Sequence, residues 1–126
     1  MFKNPEELKY SKTHEWVKEE DGLWLIGLTD YAQDALGDIV FVNLPQVGDE
    51  VKASEVFGDV ESVKAVSDVF SPVSGKVAAI NDSVLDDPAA INNDCYGTWL
   101  IKVEDVTLSE ELLDAKAYEE LCAQEG

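Results

Sequence analysis

The chain is predicted to be mainly β, a flattened barrel or sandwich hybrid with short helices and a C-terminal helix. Three observations carry that expectation. Short runs rich in valine, isoleucine and phenylalanine recur at close spacing, a composition that suits strands half-buried on a pleated surface. Turn chemistry separates them, as Glu20-Asp21-Gly22, Leu44-Pro45-Gln46-Val47-Gly48-Asp49 and Ser71-Pro72-Val73-Ser74-Gly75. Pro45-x-x-Gly48 followed by Val51 also echoes Pro72-x-x-Gly75 followed by Val77, so two similar halves would each supply part of a sheet. At 126 residues the expectation is one domain spanning 1–126, too short for two of typical size.

Taken in order, Asn4-Pro5-Glu6-Glu7-Leu8 predicts a single helical turn, with Asn4 capping and Pro5 at the first helical position. Thr13 to Lys18 reads as a short strand. Leu23 to Leu28 is a second, in which Gly27 marks a bulge or a close backbone approach. Thr29 or Asp30 caps a short helix through Ala35-Leu36 that Gly37 stops. Asp38 to Val42 is expected as a buried strand, and Glu50-Val51-Lys52 leads on. Glu55 to Val60 and Val69 to Val77 are β-type runs, with Ser71 to Gly75 a turn and Lys76 to Ile80 a strand. Asn81 to Asn93 reads as a loop with little regular structure, and Thr98 to Val103 as the last core strand. Ser109 is expected to cap a helix opening at Glu110-Glu111-Leu112-Leu113. That helix would pause near Asp114 and resume to Cys122, packing Leu113, Ala117 and Leu121 on the sheet.

Asp plus Glu number 27 against 9 Lys plus Arg, a net charge of −18. This argues against nucleic acid and against anionic membrane surfaces, both of which need clustered bases. It either steers the chain toward basic docking surfaces or serves solvation alone. No apolar run reaches membrane-spanning length. Met1 to Lys12 carries neither a signal-peptide core nor transit-peptide character. Cys95 and Cys122 show no metal-ligand spacing, which fits two free thiols in a reducing bacterial cytoplasm.

Glu61-Ser62-Val63-Lys64-Ala65-Val66-Ser67-Asp68 reads almost alike in both directions about Lys64-Ala65. Flanked by β-type runs, it predicts a hairpin with Lys64 and Ala65 at the tip. Tight hairpins favour Asn-Gly or Asp-Gly for their positive φ, so this tip is chosen for something other than easy turning. A lone lysine between acidic shoulders is either an address for a lysine-modifying enzyme or a charge that blunts a hairpin end. The lone histidine, His14, reads as a packed structural side chain beside Trp16. There is no glycine-rich phosphate loop, calcium loop or activated cysteine. The residues therefore suit a non-enzymatic chain carrying a reactive group for others.

Val60-Glu61-Ser62-Val63-Lys64-Ala65, with Ser67-Asp68 and Ser71-Pro72-Val73-Ser74-Gly75, resembles the lipoyl-lysine motif of the glycine cleavage system H proteins. Lys9-Tyr10-Ser11, Thr13-His14-Glu15-Trp16-Val17, Tyr31-Ala32-Gln33, Leu36 to Pro45 and Leu112-Leu113-Asp114-Ala115 through Tyr118 match that family in order. The resemblance implies a lipoyl/biotinyl-carrier fold and lipoic acid joined by an amide to Lys64. It implies Glu61 and Gly75 as positions read by the lipoate-attaching enzyme, and Thr13, Glu15 and Asp68 as lining the arm's cleft. A carboxylate there would hold a methylamine ammonium.

The implied partners are glycine decarboxylase, aminomethyltransferase, dihydrolipoyl dehydrogenase and lipoate-attaching enzymes, served by a monomeric, cytoplasmic, non-catalytic carrier. Two departures stand out: Ala35 where the family often has histidine near the arm, and Cys95 in place of the usual proline. A biotin carrier would flank its lysine with methionines, and here Val63 and Ala65 stand in those places. A lipoyl domain of a 2-oxoacid dehydrogenase would have Asp before the lysine and a Pro/Ala-rich linker. An H-like protein relaying lipoate to other carriers, an unmodified binding domain, and an enzyme centred on His14 complete the alternatives.

Overall fold

The computed structural model describes residues 3–109 and 111–125, and of Leu108 only the backbone. Two antiparallel sheets organise the chain. The larger orders six strands as β1 (Lys9–Tyr10), β2 (Glu15–Glu20), β3 (Leu23–Leu28), β9 (Ile101–Ser109), β8 (Val73–Ile80) and β5 (Glu50–Val51). The smaller is β4 (Ile39–Asn43), β6 (Val56–Ser62) and β7 (Val66–Phe70). The sheets remain open, so the sandwich side of the expected hybrid describes them. Four short helices complete the described residues: α1 (Asp30–Leu36), α2 (Asp82–Asp86), α3 (Ala90–Asn93) and α4 (Ala115–Glu125).

Alternation along β3 shows how the layers form, because successive side chains leave opposite faces of a strand. Ile26 joins Val51, Val73, Val77, Ile101 and Val103 within the larger sheet's inner face. Leu28 meets Ile39, Val42, Val60 and Val69 of the smaller sheet, with Val84, Ile91 and Leu100. Leu25 packs the other way, with Tyr10, Trp16 and the Tyr118 and Cys122 face of α4. Gly27 makes a close approach: a Cβ there would lie 2.5 Å from the Trp16 ring.

Several expectations are corrected. Residues 4–8 form a turn closed by the Leu8 N–H to the Pro5 carbonyl, 3.3 Å, and no helix. The strand expected from Thr13 begins at Glu15, because Thr13 and His14 lie in a turn and His14 has φ 73°. The expected buried strand after Gly37 hides Ile39 and Val42 but leaves Val40 and Phe41 exposed. Only Ser71 and Pro72 break the chain before β8, which runs straight through Ser74 and Gly75. Asn81 to Asn93 holds two helices, the first capped by the Asn81 side chain accepting the Ser83 N–H. Thr98 precedes the last strand, and Ser109 ends β9. The C-terminal helix starts at Ala115, where Asp114 Oδ1 accepts the Ala117 N–H at 2.8 Å. It buries Tyr118 and Cys122, with Leu113 and Leu121 only partly covered. Glu110, expected in that helix, lies outside the described residues. The two echoed segments pair with each other, Val51 opposite Gly75 and Glu50 opposite Lys76.

No described helix is long and apolar enough to cross a membrane.

Candidate functional site

The Lys64 hairpin is real, but its centre sits one residue earlier than the near-palindrome suggests. Glu61 pairs with Val66 and Val60 with Ser67, and the Ser62 N–H donates to the Ala65 carbonyl at 2.8 Å. The tip is therefore Val63-Lys64. The expected register differs by two in partner number, which leaves every side chain on the same face, so hydrophobic pattern could not separate the two. Turn chemistry does. The Ser62 hydroxyl accepts the N–H groups of Lys64 and Ala65 at 3.2 and 3.1 Å, and neither tip residue has positive φ.

The tip is tied to the end of α1. The Val63 N–H donates to the Asp38 carbonyl at 3.0 Å. Gly37 closes the helix with φ 80°, its N–H on the Gln33 carbonyl. A Cβ on Gly37 would stand 3.1 Å from Lys64 Cε, so this glycine serves both the backbone and the lysine stem. Asn92 of α3 holds the same segment. It donates to the Gln33 side chain at 3.0 Å and the Gly37 carbonyl at 2.9 Å, and accepts the Ile39 N–H at 2.9 Å. Lys64 itself is exposed.

Beside the hairpin lies a cleft of about 160 Å³ lined by Thr13, His14, Glu15, α1, Val60 and Ser67 to Val69. Its apolar wall includes Leu28, Ala32, Ala35 and Leu36. Glu15 is only 1% exposed, unlike an ordinary surface acid on a strand. Its Oε1 accepts the hydroxyls of Ser11 and Thr13, both at 2.5 Å, and its Oε2 accepts the Phe70 N–H at 3.4 Å. Burying a carboxylate is costly unless such donors satisfy it. Of the six expected site residues, Thr13, Glu15 and Asp68 line this one cleft. The alternation of β7 sets the Asp68 side chain in the row of Asp59, opposite Ser67 and Val69, so Asp68 borders the cleft at a strand edge.

Glu61 stands in β6 within the hairpin, and Gly75 stands in the other sheet. A Cβ on Gly75 would lie 2.5 Å from Val103 Cγ1 and 2.7 Å from the Glu104 carbonyl oxygen. Packing alone thus requires glycine at that position.

His14 is a packed residue. Its ring stacks on Tyr31 with centroids 4.6 Å apart, and Nδ1 lies 2.7 Å from the Tyr118 hydroxyl. That hydroxyl also meets Thr29 Oγ1 at 2.7 Å, and burial pushes its pKa well above the usual tyrosine range. Cys95 and Cys122 are buried free thiols, and burial pushes Cys95 up to about 12. Sequence reasoning missed the roles of Ser11, Ser62 and Asn92. The alternation Ser11-x-Thr13-x-Glu15 was the available signal for the first.

A family model described as Glycine cleavage H-protein matches residues 8–125. The chain belongs to that family. It is 52% identical over 125 residues to the glycine cleavage system H protein of Carboxydothermus hydrogenoformans, covering 97% of this chain and 96% of that one. It is 55% identical over 121 residues to that of Lachnoclostridium phytofermentans, covering 95% of each. A crystal structure of a glycine cleavage system H protein from Mycobacterium marinum superposes with a TM-score of 0.88 at 43% identity, covering 97% of this chain and 98% of that one.

Proposed function

We propose that this chain is the lipoyl carrier of a glycine cleavage system and that Lys64 bears the lipoyl amide. The observation that carries the reading is the placement of an exposed lysine, on a pinned hairpin tip, next to a cleft that ends on a buried carboxylate. The residues fit the group. Lys64 offers a free stem against Gly37, and the cleft offers an apolar wall and an acidic end. When attached, lipoate supplies a disulfide that takes up the aminomethyl group of glycine at the decarboxylase and yields it at the aminomethyltransferase, dihydrolipoyl dehydrogenase restoring the disulfide.

The chain's own residues present and shelter. Ser62, Asp38 and Asn92 hold the tip in place, so an attaching enzyme meets one geometry. Leu28, Ala32, Ala35 and Leu36 exclude water along the cleft. Glu15, with Thr13 orienting its carboxylate, receives the ammonium of the cargo by a charge-assisted hydrogen bond. Glu61 sits where the attaching enzyme would read it. Effective concentration, rather than catalysis, is the carrier's contribution to its partners. The carrier acts as a cytoplasmic monomer.

Intact and peptide mass spectrometry of chain expressed with lipoate and a lipoate-attaching enzyme tests this. One lipoyl adduct on Lys64, lost in Lys64→Arg, is expected. No adduct, or an adduct on another lysine, overturns the proposal.

A further inference from the structure

We propose that the solvent face of the smaller sheet is the docking surface for the enzyme that attaches lipoate, with Phe41, Val63 and Val66 as its apolar contact. The inference rests on the reading of Lys64 given above. Register sets Phe41 opposite Glu61 and Glu61 opposite Val66, so Phe41 and Val66 flank the acidic Glu61 in one row, with Val63 at the adjoining tip. Val42, Val60 and Val69 turn inward from the same strands. Phe41 remains 49% exposed, Val66 63% and Val63, beside Lys64, 68%. Exposed apolar side chains gathered at one place mark an interaction site, whereas scattered ones do not.

The neighbouring row, Asn43, Asp59 and Asp68, is polar and acidic. From Asp30 to Phe70 the only bases are Lys52 and Lys64, against nine acids. The complementary partner therefore has an apolar contact rimmed by lysine or arginine at the mouth of an active site. The attaching enzyme must reach the Lys64 amine itself, so it needs contacts at the lysine's base. Enzymes that act on the far end of a lipoyl arm meet it many bonds away. The row faces away from Val60, Ser67 and Val69, which line the cleft, and on the same face only Asp68 of the neighbouring row borders it.

Unlipoylated chain, a purified lipoate–protein ligase, ATP and lipoate provide the test, with adduct formation followed by mass spectrometry. Phe41→Ser and Val66→Ser should each lower kcat/KM by about 5–10-fold, the loss of an interface contact. Val66→Lys should fall further than Val66→Glu, because it faces a basic rim. Val47→Ser, an exposed apolar residue elsewhere, should match wild type, and urea midpoints should stay unchanged. Wild-type kcat/KM in both serine variants overturns the inference, as does equal slowing by Lys and Glu. Slowing confined to the decarboxylase step assigns the face to another partner and also overturns it. A wild-type chain that gains no adduct on Lys64 instead overturns the reading of Lys64, and this inference with it.

Discussion

Replacing Gly75 by alanine separates packing from recognition at that position. The new Cβ would stand 2.5 Å from Val103 Cγ1 and 2.7 Å from the Glu104 carbonyl oxygen, where ordinary contact is 3.4–4 Å. The Val103 side chain has no exposure and little room to turn. The carbonyl belongs to β9 backbone and cannot turn alone. Strands β8 and β9 must therefore part locally, at a point where their register already shifts between Ser74 and Lys76. Overpacking of this kind costs about 1–3 kcal/mol, or a Tm lower by roughly 4–12 °C in a chain of this size. Urea denaturation gives the cost, and ligase kinetics on the still-folded variant give the recognition. The expected result is a lower midpoint with an unchanged m-value. A wild-type midpoint would refute the packing argument, and a wild-type midpoint with slow lipoylation would show that the enzyme reads the glycine directly.

Glu15→Gln preserves shape and removes charge, so glycine-dependent turnover with the decarboxylase should fall by about 10-fold or more, the weight of a charge-assisted hydrogen bond. Lipoylation of Lys64 should be unaffected, and undiminished turnover would exclude Glu15 from the cargo site. Asn92→Ala removes three hydrogen bonds around Gly37 and should cost about 2–4 kcal/mol in urea denaturation while slowing lipoylation. A cost under about 0.5 kcal/mol would show that α3 does not hold the hairpin's footing. The Cys95 thiol is raised by burial from 9.0 to about 12, so the unfolded chain releases that proton first. Stability should be full below pH 9 and decline from there toward pH 12. Cys95→Ala should decline less steeply, and identical slopes would refute the assignment.

Much of the fold is legible locally. Thr29 as cap, the helix to Leu36 and the stop at Gly37 all follow from neighbours in sequence. The helices in 81–93 escaped because short segments rich in Asn and Asp look like loops until a cap bond is seen. Ser109 looked like a cap because it precedes acids, yet pairing with Val73 keeps it in a strand. Tertiary pairing outweighs a local signal of about 1 kcal/mol.

The sequence by itself determined the strand-rich class and the lysine hairpin. It did so because turn residues, caps and alternation act over a few positions. Only the tertiary structure decided that Glu15 is buried, that Thr13, Glu15 and Asp68 border one cleft, and that Asn92 reaches Gly37. Those facts join residues 55 positions apart, and no local pattern encodes which distant donors will satisfy a buried carboxylate.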